Sequence, residues 1–145
     1  MKTKYILLAP FIIAALIVGI GDSCKQAQAK GPHTFTRAWT APTQDIGDTT
    51  SGACTLYLMK YSTKRSDLVN NWDNCAPACM IAPTGTPHAP GIAEVLTWTV
   101  TVPLGDSIYF AIKAVDGAGN WGALSNILVD YVPDDVPPAM ITDLH

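Results

Sequence analysis

The sequence predicts an all-β sandwich that follows a short apolar leader. Charged residues make up only 14% of the chain and Glu94 is its sole glutamate, whereas residues that favour strands fill the periodic stretches. Eleven glycines and eleven prolines supply many turns. Residues 109–126 alternate between apolar and polar side chains, break at two glycine-containing pairs, and then become apolar again. That pattern indicates two strands joined by a tight loop.

The leader, residues 1–29, has the pattern of a secretory signal peptide. Two early lysines precede an apolar run at 5–20, and a small-x-small motif ends at Ala29. We therefore expect cleavage after Ala29 and a secreted or cell-surface protein. The alternative is lipidation at Cys24, although no large aliphatic residue stands three positions before it. An uncleaved anchor ranks last, because Pro10 interrupts an apolar run that is already short for a span.

Six strands are predicted after the leader, at 35–39, 54–62, 72–81, 93–102, 108–115 and 124–132. The clearest is 93–102, where Leu96, Trp98 and alternate valines face one way and threonines face the other. The stretch 72–81 is irregular because a proline breaks it. Trp39 and Trp98 are expected in the core, and no helix longer than one turn is needed.

Four segments, in this order, resemble the fibronectin type III module of bacterial secreted proteins. They are Trp39-Thr40-Ala41-Pro42, Lys60-Tyr61-Ser62-Thr63, Asn71-Trp72 and the run 109–126. The resemblance covers roughly residues 35–132. It implies a seven-stranded immunoglobulin-like sandwich in which the six predicted strands are B, C, C′, E, F and G. It also implies a module without catalysis or cofactor, of the kind that serves as a spacer, an adhesive domain or an accessory to carbohydrate-acting enzymes.

The chain departs from that family at two positions inside the module. Arg37 stands where the family has leucine, and strand alternation points it into the core beside Phe35 and Trp39. An unpaired buried guanidinium is costly, so either the register shifts or Arg37 lies at an opening. Ile108 takes the place of the family's corner tyrosine, which removes the hydroxyl bond that usually holds the E–F turn.

A third departure concerns strand A, which is missing from the front of the module and has a counterpart at its end. The domain division is therefore a signal peptide at 1–29, a sandwich lacking strand A at 30–132, and a linker with a strand-A-like segment at 133–145. One explanation is that the chain is the first module of a longer tandem protein. Another is donation in trans, in which residues 137–144 insert into a neighbour and build a filament, with Ala139, Met140, Ile141 and Leu144 as the inserted residues. The third explanation is that this segment is a disordered tail.

Export permits a disulfide, and three cysteines follow the leader. The spacing of Cys75 and Cys79 does not fit zinc knuckles, redox motifs or haem attachment. If the segments around Tyr57 and Trp72 pair as a hairpin, Cys54 comes opposite Cys79. We therefore expect a Cys54–Cys79 bridge, with Cys75 as the alternative partner.

The remaining composition excludes some functions and leaves others. The net charge is −3 and no basic cluster exists beyond Lys64-Arg65, which argues against nucleic-acid binding. No histidine or carboxylate stands in a catalytic or metal-binding motif, so we expect neither enzyme activity nor a metal or other cofactor. Asp116 is expected to cap the loop within 109–126.

The aromatic side chains Trp72, Tyr109 and Trp121 are the candidates for surface binding. Exposed aromatic rings stack on sugars or anchor protein partners. The expected function is a structural or adhesive role at the cell surface or outside the cell. The alternatives are a filament subunit that self-associates through residues 137–144 and an accessory module that binds polysaccharide.

Overall fold

The computed structural model describes residues 28–48, 50–137 and 140, and within them the chain forms two antiparallel sheets. The predicted all-β fold is confirmed. The strands are β1 (Lys30–Thr40), β2 (Leu56–Ser62), β3 (Met80–Ala82), β4 (Ala93–Pro103), β5 (Asp106–Val115) and β6 (Leu128–Val132). The first sheet has the order β1-β4 and the second the order β3-β2-β5-β6.

The two-stranded sheet pairs β1 with β4 over eleven residues each, from Lys30 opposite Pro103 to Thr40 opposite Ala93. Its inner face carries Phe35 opposite Trp98. Its outer face carries paired threonine hydroxyls, 2.8 Å and 3.0 Å apart in the two cross-strand pairs. The alternation predicted for 93–102 is therefore the alternation observed, because one face of the strand is buried and the other is exposed.

The four-stranded sheet is centred on β2 and β5, which pair from Leu56 opposite Val115 to Ser62 opposite Tyr109. The last strand begins at Leu128, four residues later than predicted. The reason lies at Ser125, whose backbone N–H donates to Ile112 O while its hydroxyl accepts from Ile112 N. The chain before β6 is thus tied to β5 by a side chain, and a regular ladder starts only afterwards.

The inner core is a cluster of aromatic and aliphatic side chains between the sheets. Phe35, Tyr61, Trp98 and Phe110 contact one another with ring centroids 4.9 to 6.3 Å apart. Ile108 is fully buried in the same cluster. Each fully buried side chain of this size contributes about 1.5–3 kcal/mol to folding. This core holds the two sheets together.

The connection between β2 and β3 differs from the prediction. It forms a helix, α1 (Arg65–Asn70), and a 3₁₀ turn at Trp72–Asn74, where an irregular strand at 72–81 was expected. Only β3 remains of that strand. The helix is longer than the single turn allowed by the sequence, and Leu68 is its buried anchor. No helix among the described residues is long and apolar enough to cross a membrane.

Candidate functional site

The segment carrying α1 and the 3₁₀ turn covers the outer face of the four-stranded sheet and forms a second apolar cluster there. We call it the outer cluster; its buried members are Leu68, Trp72, Cys75, Cys79 and Ala111. Trp72 is only 7% exposed, so the prediction that it is a surface-binding residue is wrong. Tyr109 is half-buried against the same cluster. The Trp72 ring therefore offers no open face to a ligand.

Two lysines of the sheet hold the Trp72 ring in place. Lys60 Nζ lies 4.9 Å from the ring centroid and Lys113 Nζ 5.2 Å, both within the range of a cation–π contact. Lys60 also donates to Trp72 O at 2.6 Å. These contacts explain the burial of Trp72, because β2 and β5 each supply a cation to a ring that the connecting segment lays over them.

The disulfide of the outer cluster joins Cys75 to Cys79, so the expected Cys54–Cys79 bridge is wrong. The expectation required a hairpin between the segments around Tyr57 and Trp72. The 3₁₀ turn replaces that hairpin and brings the Cα atoms of Cys75 and Cys79 to 5.3 Å. Such a distance suits a disulfide. Cys54 is instead a buried thiol next to Tyr57.

A polar cluster that the sequence did not predict surrounds the sole glutamate. Glu94 is buried, and its Oε1 accepts from His88 N at 2.7 Å and from Tyr57 Oη at 3.2 Å. His88 Nδ1 lies 2.7 Å from Glu94 Oε2. The His88 backbone N–H is the main reason why the pKa of Glu94 lies below its ordinary value of 4.5. Burial, reinforced by the Cys54 thiol, raises the pKa of Tyr57.

The Glu94 cluster fastens the loop before β4 to the sandwich, and its members have the chemistry of a structural clamp. The carboxylate uses both oxygens on internal donors. Among the described residues, no group of three or more histidine, cysteine or acidic side chains is placed to hold a metal ion.

The loop between β5 and β6 is capped as predicted. Asp116 Oδ1 accepts from the backbone N–H groups of Ala118 and Asn120, both at 2.8 Å, and Oδ2 accepts from Asn120 Nδ2 at 2.7 Å. The Asn120 side chain is the main reason why the pKa of Asp116 is lowered. Trp121 follows this capped turn and is 51% exposed, the one predicted surface aromatic that stays open to solvent.

Arg37 lies in the core side of β1, as strand alternation requires. It is 9% exposed, and its guanidinium Cζ lies 3.9 Å from the Phe110 ring centroid. Its Nη2 pairs with Asp130 Oδ2 of β6 at 2.6 Å and its Nη1 donates to Thr36 O at 2.7 Å. Its Nε is buried and has no hydrogen-bond partner in the described part of the chain. The register does not shift, and Arg37 lies at an opening, which was one of the two alternatives.

That opening is a cleft between β1 and the chain that enters β6, and we call it the seam. It is lined by residues 37–39 of β1, by 110–112 of β5, and by Ser125, Asn126 and Leu128. It continues beside Trp39 toward Pro42 and Ala123. The seam exists because β1 pairs only with β4 among the described residues, so its second edge has no strand beside it.

Of the residues predicted to form a donated strand, only Met140 lies among the described ones. It is 83% exposed and belongs to no strand. Ala139, Ile141 and Leu144 lie outside the described residues, as do Cys24 and the predicted signal peptide up to residue 27.

Comparison with protein-family models, with curated proteins and with solved structures finds no match for this chain. The site is therefore interpreted from its own geometry. Two of its features escaped the sequence analysis. The Arg37–Asp130 pair joins residues 93 positions apart, and no local pattern links them. One weak feature of the sequence pointed to the Glu94 cluster. The sole glutamate stands at the start of a strand that is otherwise apolar and rich in threonine.

Proposed function

We propose that this chain is an exported, non-enzymatic β-sandwich module of the fibronectin type III kind, with a structural or adhesive role at the cell surface or outside the cell. The observation that carries the proposal is the strand order. With the letters that the resemblance implies, the two sheets read B-E and C′-C-F-G. Immunoglobulin-like sandwiches likewise divide B and E from C, F and G.

Two further observations support export and a passive role. A short-range disulfide on the outer cluster suits an oxidising compartment. The buried charged side chains Glu94 and Arg37 each have a partner within the fold, which is His88 for Glu94 and Asp130 for Arg37. Polysaccharide binding through three aromatic rings loses its basis, since Trp121 alone of the three is exposed.

Export is tested by fusing residues 1–40 to a phosphatase that is active only outside the cytoplasm. The matched control changes the two early lysines to glutamate. Activity that depends on the lysines supports the proposal, and a fusion that stays inactive contradicts it.

Adhesion is tested separately by coating beads with the folded chain and measuring their retention on cells, with the Trp121→Ala variant as the comparison.

Lipidation at Cys24 remains a second proposal for the location, because one observation favours it. Gln28 Nε2 donates to Leu104 O at 2.7 Å, and Leu104 N donates to Ala29 O at 2.8 Å. Cleavage after Ala29 removes both bonds, whereas a mature chain that begins at Cys24 keeps them. The intact mass of the protein recovered from the envelope distinguishes a diacylated N-terminus at Cys24 from a free one at Lys30.

A further inference from the structure

We propose that the seam binds residues 137–144 of a second copy of this chain, which add a strand along the free edge of β1. This inference rests on the proposed sandwich module and names its partner. An unpaired strand edge presents a row of backbone N–H and C=O groups that another chain can pair with. β1 is eleven residues long and has such an edge among the described residues.

The seam has the composition expected of a site for an extended, largely apolar segment. Its floor is formed by Phe110, Met59 and Ile112, and Trp39 forms one wall. Its buried charge is Arg37, whose Nε–H has no partner in the described part of the chain. A carbonyl of an inserted strand is an acceptor that suits this donor.

The segment at 139–144 fits this site in length and chemistry. Its six residues, Ala-Met-Ile-Thr-Asp-Leu, extend over about 20 Å as a strand, which is shorter than β1. Four of the six are apolar, and Asp143 is the only charge. Met140 is the part of this segment that the structure describes, and it is 83% exposed.

The geometry favours a second copy over the chain's own segment. β6 ends at Val132 beside the start of β1, because Gly105 N donates to Val132 O and the adjacent Leu104 N donates to Ala29 O. Every strand pair among the described residues is antiparallel. A six-residue strand that is antiparallel to β1 and centred on the seam at residues 37–39 starts near Ala41, about 36 Å from Lys30. The linker 133–138 spans at most about 21 Å.

The first test measures association of the full chain by sedimentation over a range of concentrations. Ile141→Asp places a charge on an apolar residue of the segment, and Thr142→Asp is the matched control, because adjacent residues of a strand face opposite ways. We expect Ile141→Asp to weaken association at least about tenfold, since burial of an isoleucine is lost. Thr142→Asp should change it less than about threefold. A wild-type chain that stays monomeric, or equal association of Ile141→Asp, overturns the proposal.

The second test locates the contact and separates exchange between chains from insertion within one chain. A chain carrying Ala38→Cys, in the seam, is mixed with a chain carrying Thr142→Cys under a mild oxidant. The control for the first variant is Val95→Cys, because Val95 is the exposed cross-strand partner of Ala38 on β4. A mixed covalent dimer several-fold above the Val95→Cys control supports the proposal. Equal yields contradict it, as does a double variant that links only within its own chain.

Circular dichroism and thermal unfolding of the same samples distinguish a failure of docking in the seam from a failure of the sandwich-module proposal. A cooperatively unfolding wild-type monomer refutes docking in the seam and leaves the module proposal intact. A wild-type chain without cooperative unfolding counts against the sandwich module itself.

Discussion

Replacing Asp130 by asparagine should destabilise the fold through Arg37. The substitution keeps the shape of the side chain and removes the carboxylate that pairs with Arg37 Nη2 at 2.6 Å. Exposed ion pairs are worth about 0–1 kcal/mol, whereas breaking a buried pair costs about 3–5 kcal/mol. Arg37 is 9% exposed and Asp130 is 42% exposed, which places this pair between the two cases. We expect a loss of about 2 kcal/mol.

The partner variant Arg37→Met shows whether the loss belongs to the ion pair. Methionine keeps an apolar side chain over Phe110 and leaves no buried donor, and replacing a buried charge by an apolar side chain is often neutral or stabilising. We expect Arg37→Met to lie within about 1 kcal/mol of the wild type. Adding Asp130→Asn to it should then cost less than about 0.5 kcal/mol, because no guanidinium remains to be left unpaired.

Urea unfolding, followed by tryptophan fluorescence, measures all four chains of this double-mutant cycle. For a domain of this size, a loss of 2 kcal/mol moves the midpoint by about 1 M. Asp135→Asn, in the exposed linker, is the control and should leave the midpoint unchanged. If Asp130→Asn costs as much in the Arg37→Met background as in the wild type, the pair does not stabilise the fold and the reasoning is refuted.

Three further predictions follow from the other contacts. Trp72→Ala should cost about 3 kcal/mol in urea unfolding because it empties the outer cluster, whereas Trp121→Ala, on an exposed ring, should cost less than about 1 kcal/mol; similar losses would contradict the burial of Trp72. Because the folded pKa of Glu94 is depressed, its contribution is present above pH 4.5 and is lost as the pH falls through the folded pKa. The stability difference between the wild type and Glu94→Gln, measured by unfolding from pH 7 to pH 3, should therefore shrink below pH 4.5, and a constant difference would exclude this carboxylate as its source. Asp116→Ala should lower the melting temperature more than Asp116→Asn, which keeps one acceptor for the loop N–H groups.

Prediction from the sequence was most accurate for strands that bury one face, because the alternation of side chains shows which residues face the core. The alternation around Trp98 identified the inner face of β4, and the same argument placed Arg37 inward in β1. The cap at Asp116 was also predictable, since its donors lie within four residues. These features depend on neighbours along the chain, so a local pattern is enough to find them.

Prediction from the sequence was least accurate for a segment that could pack in more than one place. An apolar ring such as Trp72 is compatible with an edge strand, an exposed platform or a covering segment, and the outcome depends on Lys60 and Lys113 from two different strands. The disulfide pairing depends on the same placement of the segment. Once the chain turns at Trp72, Cys75 reaches Cys79 directly and Cys54 remains a buried thiol. Local spacing does not contain that information.

Arg37 connects the fold to the proposed assembly. A charge is tolerated inside this sandwich because its partner, Asp130, lies on the last strand and keeps part of its carboxylate in water. The pair crosses the side of the sandwich where the second edge of β1 has no strand beside it among the described residues, which is the side that opens into the seam. A leucine at position 37 would make the lining of the seam more apolar, whereas arginine places a charge there. The Nε–H of the same guanidinium has no partner in the described part of the chain, so Arg37 is also suited to bind a strand that enters the seam.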